Sequence, residues 1–153
     1  MAVRRKEHAA VSRSKNLRKA RRHDEATRLV EEAMKDLPGK VALLNEYGQI
    51  AFEQNRLETA RQRFESAHEL APQDRYATNN LGKVGLRQQD FAAASRWYGA
   101  TLDINSSDLF ALTGMGQAAA RSGRFDEAEE WFAKALVQRP NDRVVLNEQR
   151  LLT

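Results

Sequence analysis

Ala26, Ala60, Ala94 and Ala128 stand 34 residues apart, and each is followed four residues later by Val30, Phe64, Tyr98 or Phe132. A small residue with a bulkier one a helical turn later, recurring at a fixed interval, restricts the chain to tandem copies of one supersecondary unit. Pro38, Pro72 and Pro140 keep the same register with Ser106 in the vacant slot, and Gly48, Gly82 and Gly116 each precede their alanine by twelve residues. The interval suits two helices joined by a tight turn. Such a pair cannot bury its apolar face alone, so the copies must stack, and the function expected of the stack is recognition.

The unit from Leu109 to Pro140 shows the pattern in full. Leu112, Met115, Gly116 and Ala119 have helical spacing before the breaker Ser122-Gly123-Arg124. Asp126 and Glu127 then open a second helix near its positive end, and Ala128, Phe132, Ala135 and Leu136 form its apolar stripe. Alanine and glycine at the repeated slots let two helices approach, and the aromatic fills the space they leave. The units beginning at Val41 and Arg75 follow the same rule, with Leu44, Tyr47 and Gly48 matching Thr78, Leu81 and Gly82, and with turns at Gln54-Asn55-Arg56 and Gln88-Gln89-Asp90.

This arrangement resembles the tetratricopeptide repeat (TPR) family, although Leu44, Thr78 and Leu112 stand where the family usually carries tryptophan. The resemblance implies an all-α fold: a right-handed superhelical α-solenoid of antiparallel helix pairs, with four repeats and a short C-terminal helix. On this reading residues 1–153 form a single domain. A basic segment, 1–6, precedes a degenerate repeat, 7–40, in which Arg13, Ser14 and Leu17 replace Tyr47, Gly48 and Ala51. Well-formed repeats are expected at 41–74, 75–108 and 109–142. Residues 143–153, with Leu146 in register, form either a solvating cap or the start of a further pair.

In this family the first helices line a concave groove that holds a peptide. Carried over residue by residue, the inward slots are Asn45, Gln49, Phe52 and Glu53, then Tyr76, Asn79, Asn80, Lys83, Leu86 and Arg87, then Phe110, Thr113, Gln117 and Arg121. Asn and Gln match a peptide backbone, Lys83, Arg87 and Arg121 match carboxylates, and Phe52, Tyr76 and Phe110 offer apolar anchors. The implied partner is another protein, presenting an acidic segment with apolar residues. The alternative is that Phe52, Leu86 and Phe110 pack between helices. One sub-class clamps a chaperone C-terminus with Lys, Asn, Asn, Lys and Arg. In either possible frame, the slots hold Val11, Lys15, Glu46, Tyr76 and Asn80, or Asn45, Gln49, Asn80, Phe110 and Gly114, and neither makes that clamp.

Charge is unevenly placed. Residues 1–28 carry +7 and the remainder −3, out of a net formal charge of +4. Arg13, Lys15, Arg18, Lys19, Arg21 and Arg22 form a candidate basic patch for nucleic acid or an anionic membrane surface. The other reading is a solvated terminal cap, because the stretch has no aromatic residue on which bases would stack.

Enzymatic chemistry finds no constellation here. His8, His23 and His68 lie in different units, cysteine is absent, and the glycines follow the repeat period instead of a phosphate-binding pattern. The chain is therefore expected to be a non-enzymatic adaptor or scaffold without metal or cofactor. Lacking a membrane-length apolar run or a secretory signal, it is expected in the cytoplasm, where a link to a membrane assembly complex would also be compatible. Trp97 and Trp131, beside the core aromatics Tyr98 and Phe132, suggest packing or a second surface. Leu146, Leu151 and Leu152 raise the alternative of a self-associating array.

Overall fold

The computed structural model describes residues 2–153, and helices are the only regular elements among them. In chain order they are α1 (Ala2–Lys19), α2 (His23–Asp36), α3 (Val41–Glu53), α4 (Leu57–Leu70), α5 (Arg75–Arg87), α6 (Phe91–Ile104), α7 (Leu109–Arg121), α8 (Phe125–Gln138) and α9 (Arg143–Leu151). Residues 2–6, expected ahead of the first repeat, are the opening turns of α1. Met1 lies outside the described residues. No helix among them is long and apolar enough to cross a membrane.

Each of the four turns that join the two helices of a pair uses the same backbone device. Arg21, Asn55, Gln89 and Gly123 have φ of 59°, 58°, 60° and 79°. The next amide in each case reaches back to the carbonyl five residues earlier, as in Arg56 N to Ala51 O at 2.8 Å and Asp90 N to Gly85 O at 2.9 Å. This left-handed closure satisfies carbonyls that the ending helix leaves open and reverses the chain within three residues. Of these four, only the last places glycine at the left-handed position.

The chain divides into two compact units, Met1–Ala77 and Thr78–Thr153, and α5 begins in the first and continues in the second. In the first unit, Ala26 and Val30 of α2 meet Leu43, Tyr47 and Ile50 of α3, with Ala10 of α1 alongside. A second cluster joins Leu44, Ala67 and Ala77. A Cβ on Gly48 would lie 2.7 Å from Cε1 of Phe64, so this slot admits only glycine against that ring.

In the second unit Tyr98, Ala94, Leu86, Ala111 and Ala118 form one cluster. Phe132, Ala128, Ala135, Leu112, Ala119 and Val145 form another. Tyr98 packs on two glycines, Gly82 and Gly114, and Phe132 packs on Gly116. The small-and-large alternation read from the sequence is thus realised ring by ring.

The core register of α9 differs from the expectation. Leu146 follows Leu44 and Leu112 by the repeat interval, yet it is 43% exposed, and its neighbour Val145 is fully buried. The reason lies in what each slot touches. Leu112 packs within the cluster that holds its own second helix, α8, whereas Val145 joins the cluster of the preceding pair. Among the described residues no second helix follows α9, so the slot that faces backwards is filled and the other meets solvent.

Candidate protein-binding site

Three features of the first helices shape the surface available to a ligand. The first is a polar network that seats α1 on α3. Ser14 is fully buried and donates to Glu46 Oε1 at 2.7 Å, and Arg18 Nε donates to the same oxygen at 2.7 Å. Arg18 Nη1 continues to Glu53 Oε1 at 2.8 Å, and His23 Nε2 lies 3.3 Å from Glu53 Oε2. Burial opposes the Arg18 charge, but hydrogen bonding and attraction from Glu46 and Glu53 outweigh it and raise its pKa above the usual guanidinium value. Arg18 is therefore turned inward, apart from Arg13, Lys15, Lys19 and Arg21, which are exposed. Arg22, also exposed, is bonded to Glu25.

The second feature is a ladder of aspartates that the sequence reading passed over. Asp74, Asp108 and Asp142 recur every 34 residues, and each accepts from backbone amides at the start of a first helix: Tyr76 N, Ala111 N, and Val144 N with Val145 N. Two of them also hold the helix before. Asn45 Nδ2 donates to Asp74 Oδ2 at 3.4 Å, and Asn79 Nδ2 donates to Asp108 Oδ1 at 3.2 Å. The amide oxygens of Asn45 and Asn79 are buried and have no hydrogen-bond partner among the described residues.

The third is a cleft of about 390 Å³ in the first unit. Glu7, Val11 and Lys15 line it from α1, Val41, Ala42, Asn45 and Glu46 from α3, and Asp74 and Tyr76 from the start of α5.

The residues expected in the groove are distributed unevenly. Asn45 and Asn80 are buried, Gln49, Asn79, Lys83 and Gln117 are half-buried, and Tyr76, Arg87, Phe110 and Arg121 are exposed. Phe52 is buried, as is Leu86, so these two fill helix contacts, whereas Phe110 stands 75% exposed. Phe110, Gly114, Gln117 and Arg121 lie at the spacing that puts them on one face of α7. Gln117 Nε2 on that face donates to Glu148 Oε1 of α9 at 2.8 Å. Trp131 is half-buried against the α8 core, with Lys134 Nζ 4.4 Å from its ring centroid. No group of three or more His, Cys, Asp or Glu able to hold a metal occurs among the described residues.

Repeated helix pairs, glycine-on-ring contacts and a shared turn are matched by sequence models described as "Tetratricopeptide repeat" over residues 17–82, and over 58–108 and 81–143. The chain belongs to the tetratricopeptide repeat family. No curated protein matches it by sequence. Solved structures agree with the TPR fold. A MamA protein is 18% identical, with a TM-score of 0.82 over 96% of this chain and 80% of that one. PilF of Pseudomonas aeruginosa is 14% identical, with a TM-score of 0.91 over 99% of this chain and 69% of that one. The first TPR domain of Spaghetti (RPAP3), solved bound to an HSP90 peptide, is 23% identical, with a TM-score of 0.71 over 74% and 90% of the two chains.

Within this TPR chain, two functional features had a signal that residue-by-residue transfer missed. The aspartate ladder shares the 34-residue period. Arg18 occupies the slot held by Phe52 and Leu86 in later repeats, and a cation in an otherwise apolar slot calls for a buried counter-charge.

Proposed function

We propose that this chain is a non-enzymatic TPR adaptor that holds a peptide segment of a partner protein along its first helices. The observation that carries the reading is the face of α7, where Phe110 is exposed one end from Arg121, with Gln117 between them. An exposed aromatic and an exposed guanidinium about 16 Å apart along a helix suit an extended or helical segment that bears an apolar residue and a carboxylate. Arg121 makes no ion pair among the described residues, so its charge is available to such a carboxylate. The neighbouring fold solved with an HSP90 peptide supports peptide capture as a use of this architecture.

The test is retention of a partner from source-cell lysate by the intact chain and by a Phe110→Ser, Arg121→Glu variant, with circular dichroism confirming that both remain helical. A protein held by the first and lost by the second supports the adaptor reading, and equal retention removes it.

A second reading follows from the exposure of Arg4, Arg5, Lys6, Arg13, Lys15, Lys19 and Arg21 along and just after α1. Binding to nucleic acid or an anionic surface through these side chains would fall steeply with salt. Neutralising Arg13, Lys15, Lys19 and Arg21 would flatten that dependence.

A further inference from the structure

We infer that the exposed face of α1 docks in the major groove of duplex DNA, with its two borders against the phosphate walls and its crest toward the base edges. The assignment rests on the second reading above, a basic helix that binds a polyanion, and it names the polyanion.

At about 3.6 residues per turn, the side chains of α1 fall into four lines. One is packed: Ala10 and Ser14 are buried, Val11 and Leu17 lean on the core of the first unit, and Arg18 is turned to Glu46. Glu7, the one acid of this helix, is half-buried on that side, and Val3, 45% exposed, falls in the line of Ala10 and Leu17. On the opposite side Arg5, Ala9 and Asn16 form an exposed crest, with Ser12 half-buried between them. Arg4, Lys15 and Lys19 border this crest on one flank, and Lys6 and Arg13 border it on the other, all five exposed. None of the five makes a hydrogen bond or ion pair among the described residues. Lys15 also rims the cleft beside Glu7 and Asp74 and pairs with neither.

Two charged borders around a crest of mostly small residues discriminate between polyanions. The major groove of B-form DNA, about 12 Å wide, admits a helix and raises phosphates on both sides of it. Cations on both borders serve both walls at once, and Ala9 and Ser12 let the backbone come close to the floor. There Arg5 and Asn16 supply the guanidinium and carboxamide that match guanine and adenine edges. A lipid surface is flat and holds a helix by apolar residues on the side that faces it, and the crest of α1 carries none larger than alanine. Duplex RNA has a major groove too deep and narrow for side chains to read, and single strands are held by stacking on aromatic rings, which residues 1–28 lack. B-form DNA is the polyanion that the face fits.

The experiment is fluorescence anisotropy of the full chain with a labelled DNA duplex of about 20 base pairs at 50 and 200 mM salt, beside an RNA duplex and a DNA single strand of the same sequence. Vesicles of phosphatidylcholine with phosphatidylserine form the fourth arm, and circular dichroism confirms that each variant stays helical. Duplex DNA is expected to bind about tenfold tighter than either other nucleic acid, and its affinity to fall more than about a hundredfold between the two salt concentrations. Lys6→Gln with Arg13→Gln strips one border and is expected to lower the slope of log affinity against log salt by about two. Ala9→Trp sets a bulky ring on the crest. It is expected to weaken duplex DNA several-fold with the slope unchanged, whereas the same ring would strengthen attachment to lipid. RNA or single strands bound as tightly as duplex DNA, a slope unmoved by the border variant, or indifference to Ala9→Trp would overturn the assignment. Vesicles bound in preference to DNA would overturn it while leaving the second reading in place. Binding to none of the four at 50 mM salt would remove both.

Discussion

Arg18 Nε lies 2.7 Å from Oε1 of Glu46, a carboxylate whose side chain is 2% exposed. The guanidinium keeps 14% of its side chain in water and shares itself with Glu53, so the pair is one-sidedly buried. Arg18→Met leaves Glu46 with only the Ser14 hydroxyl. The expected loss is about 2–3 kcal/mol, below the full range for a sealed pair because water still reaches the arginine. Urea unfolding checks the magnitude, and added Glu46→Gln should restore part of it.

Gly82 faces the Tyr98 ring so closely that a Cβ there would sit 2.6 Å from Cε1. Gly82→Ala is expected to cost about 1–3 kcal/mol through overpacking. Gly99, with open space around its Cβ position inside α6, provides the contrast. Gly99→Ala should stabilise by about 0.5–1 kcal/mol through backbone entropy and helix propensity. Opposite shifts in the denaturation midpoint are the readout.

Gln89 holds φ of 60° at the turn between α5 and α6, where Gly123 serves the equivalent turn. Removing the Cβ relieves a conformation that costs L-residues about 1–2 kcal/mol. Gln89→Gly should therefore raise stability by about 1 kcal/mol and the melting temperature by about 2–4 °C. No rise in a calorimetric scan would contradict the turn assignment.

Val145 and Leu146 are adjacent and apolar, yet only Val145 is buried. Val145→Ala should cost about 2 kcal/mol, and Leu146→Ala should remain within about 0.5 kcal/mol of the parent. The reverse order would mean that Leu146 is covered in solution.

Burial pushes the Tyr98 phenol well above the ordinary tyrosine range, with the charge of Arg121 acting weakly in the other direction. A raised folded pKa favours the proton in the native state, so its stabilisation is complete below the unfolded value near 10 and is lost as pH rises beyond it. Tyr98→Phe should thus flatten the decline in stability between about pH 10 and 12. Parallel urea titrations at pH 8 and pH 11 would test this.

The helix pairs and the turns were legible because glycine, alanine and the following aromatic are packing requirements, and these recur wherever the geometry does. Gly48 on Phe64 and Gly116 on Phe132 are that rule made physical. The left-handed residues were hidden because Arg21, Asn55, Gln89 and Gly123 share a conformation but no chemistry. Groove exposure was harder still. Phe52 and Phe110 both fall in inward slots of the repeat pattern, yet one is buried and the other open, because the outcome depends on which neighbour covers each slot. The Arg18 and Glu46 pairing is specific to the first repeat and shows in the sequence only as a departure from the apolar slot that Phe52 and Leu86 keep.

Asp108 Oδ1 accepts both the Ala111 amide of its own helix and the Asn79 side chain of the helix before it. One oxygen therefore ties the birth of a helix to its attachment, and neither event is complete without the other. Fraying at the start of α7 would loosen its hold on α5, and release from α5 would expose that start to solvent. Amide protons there should exchange in a common opening, so stability in this region spreads as coupling between neighbours instead of residing in separate helices.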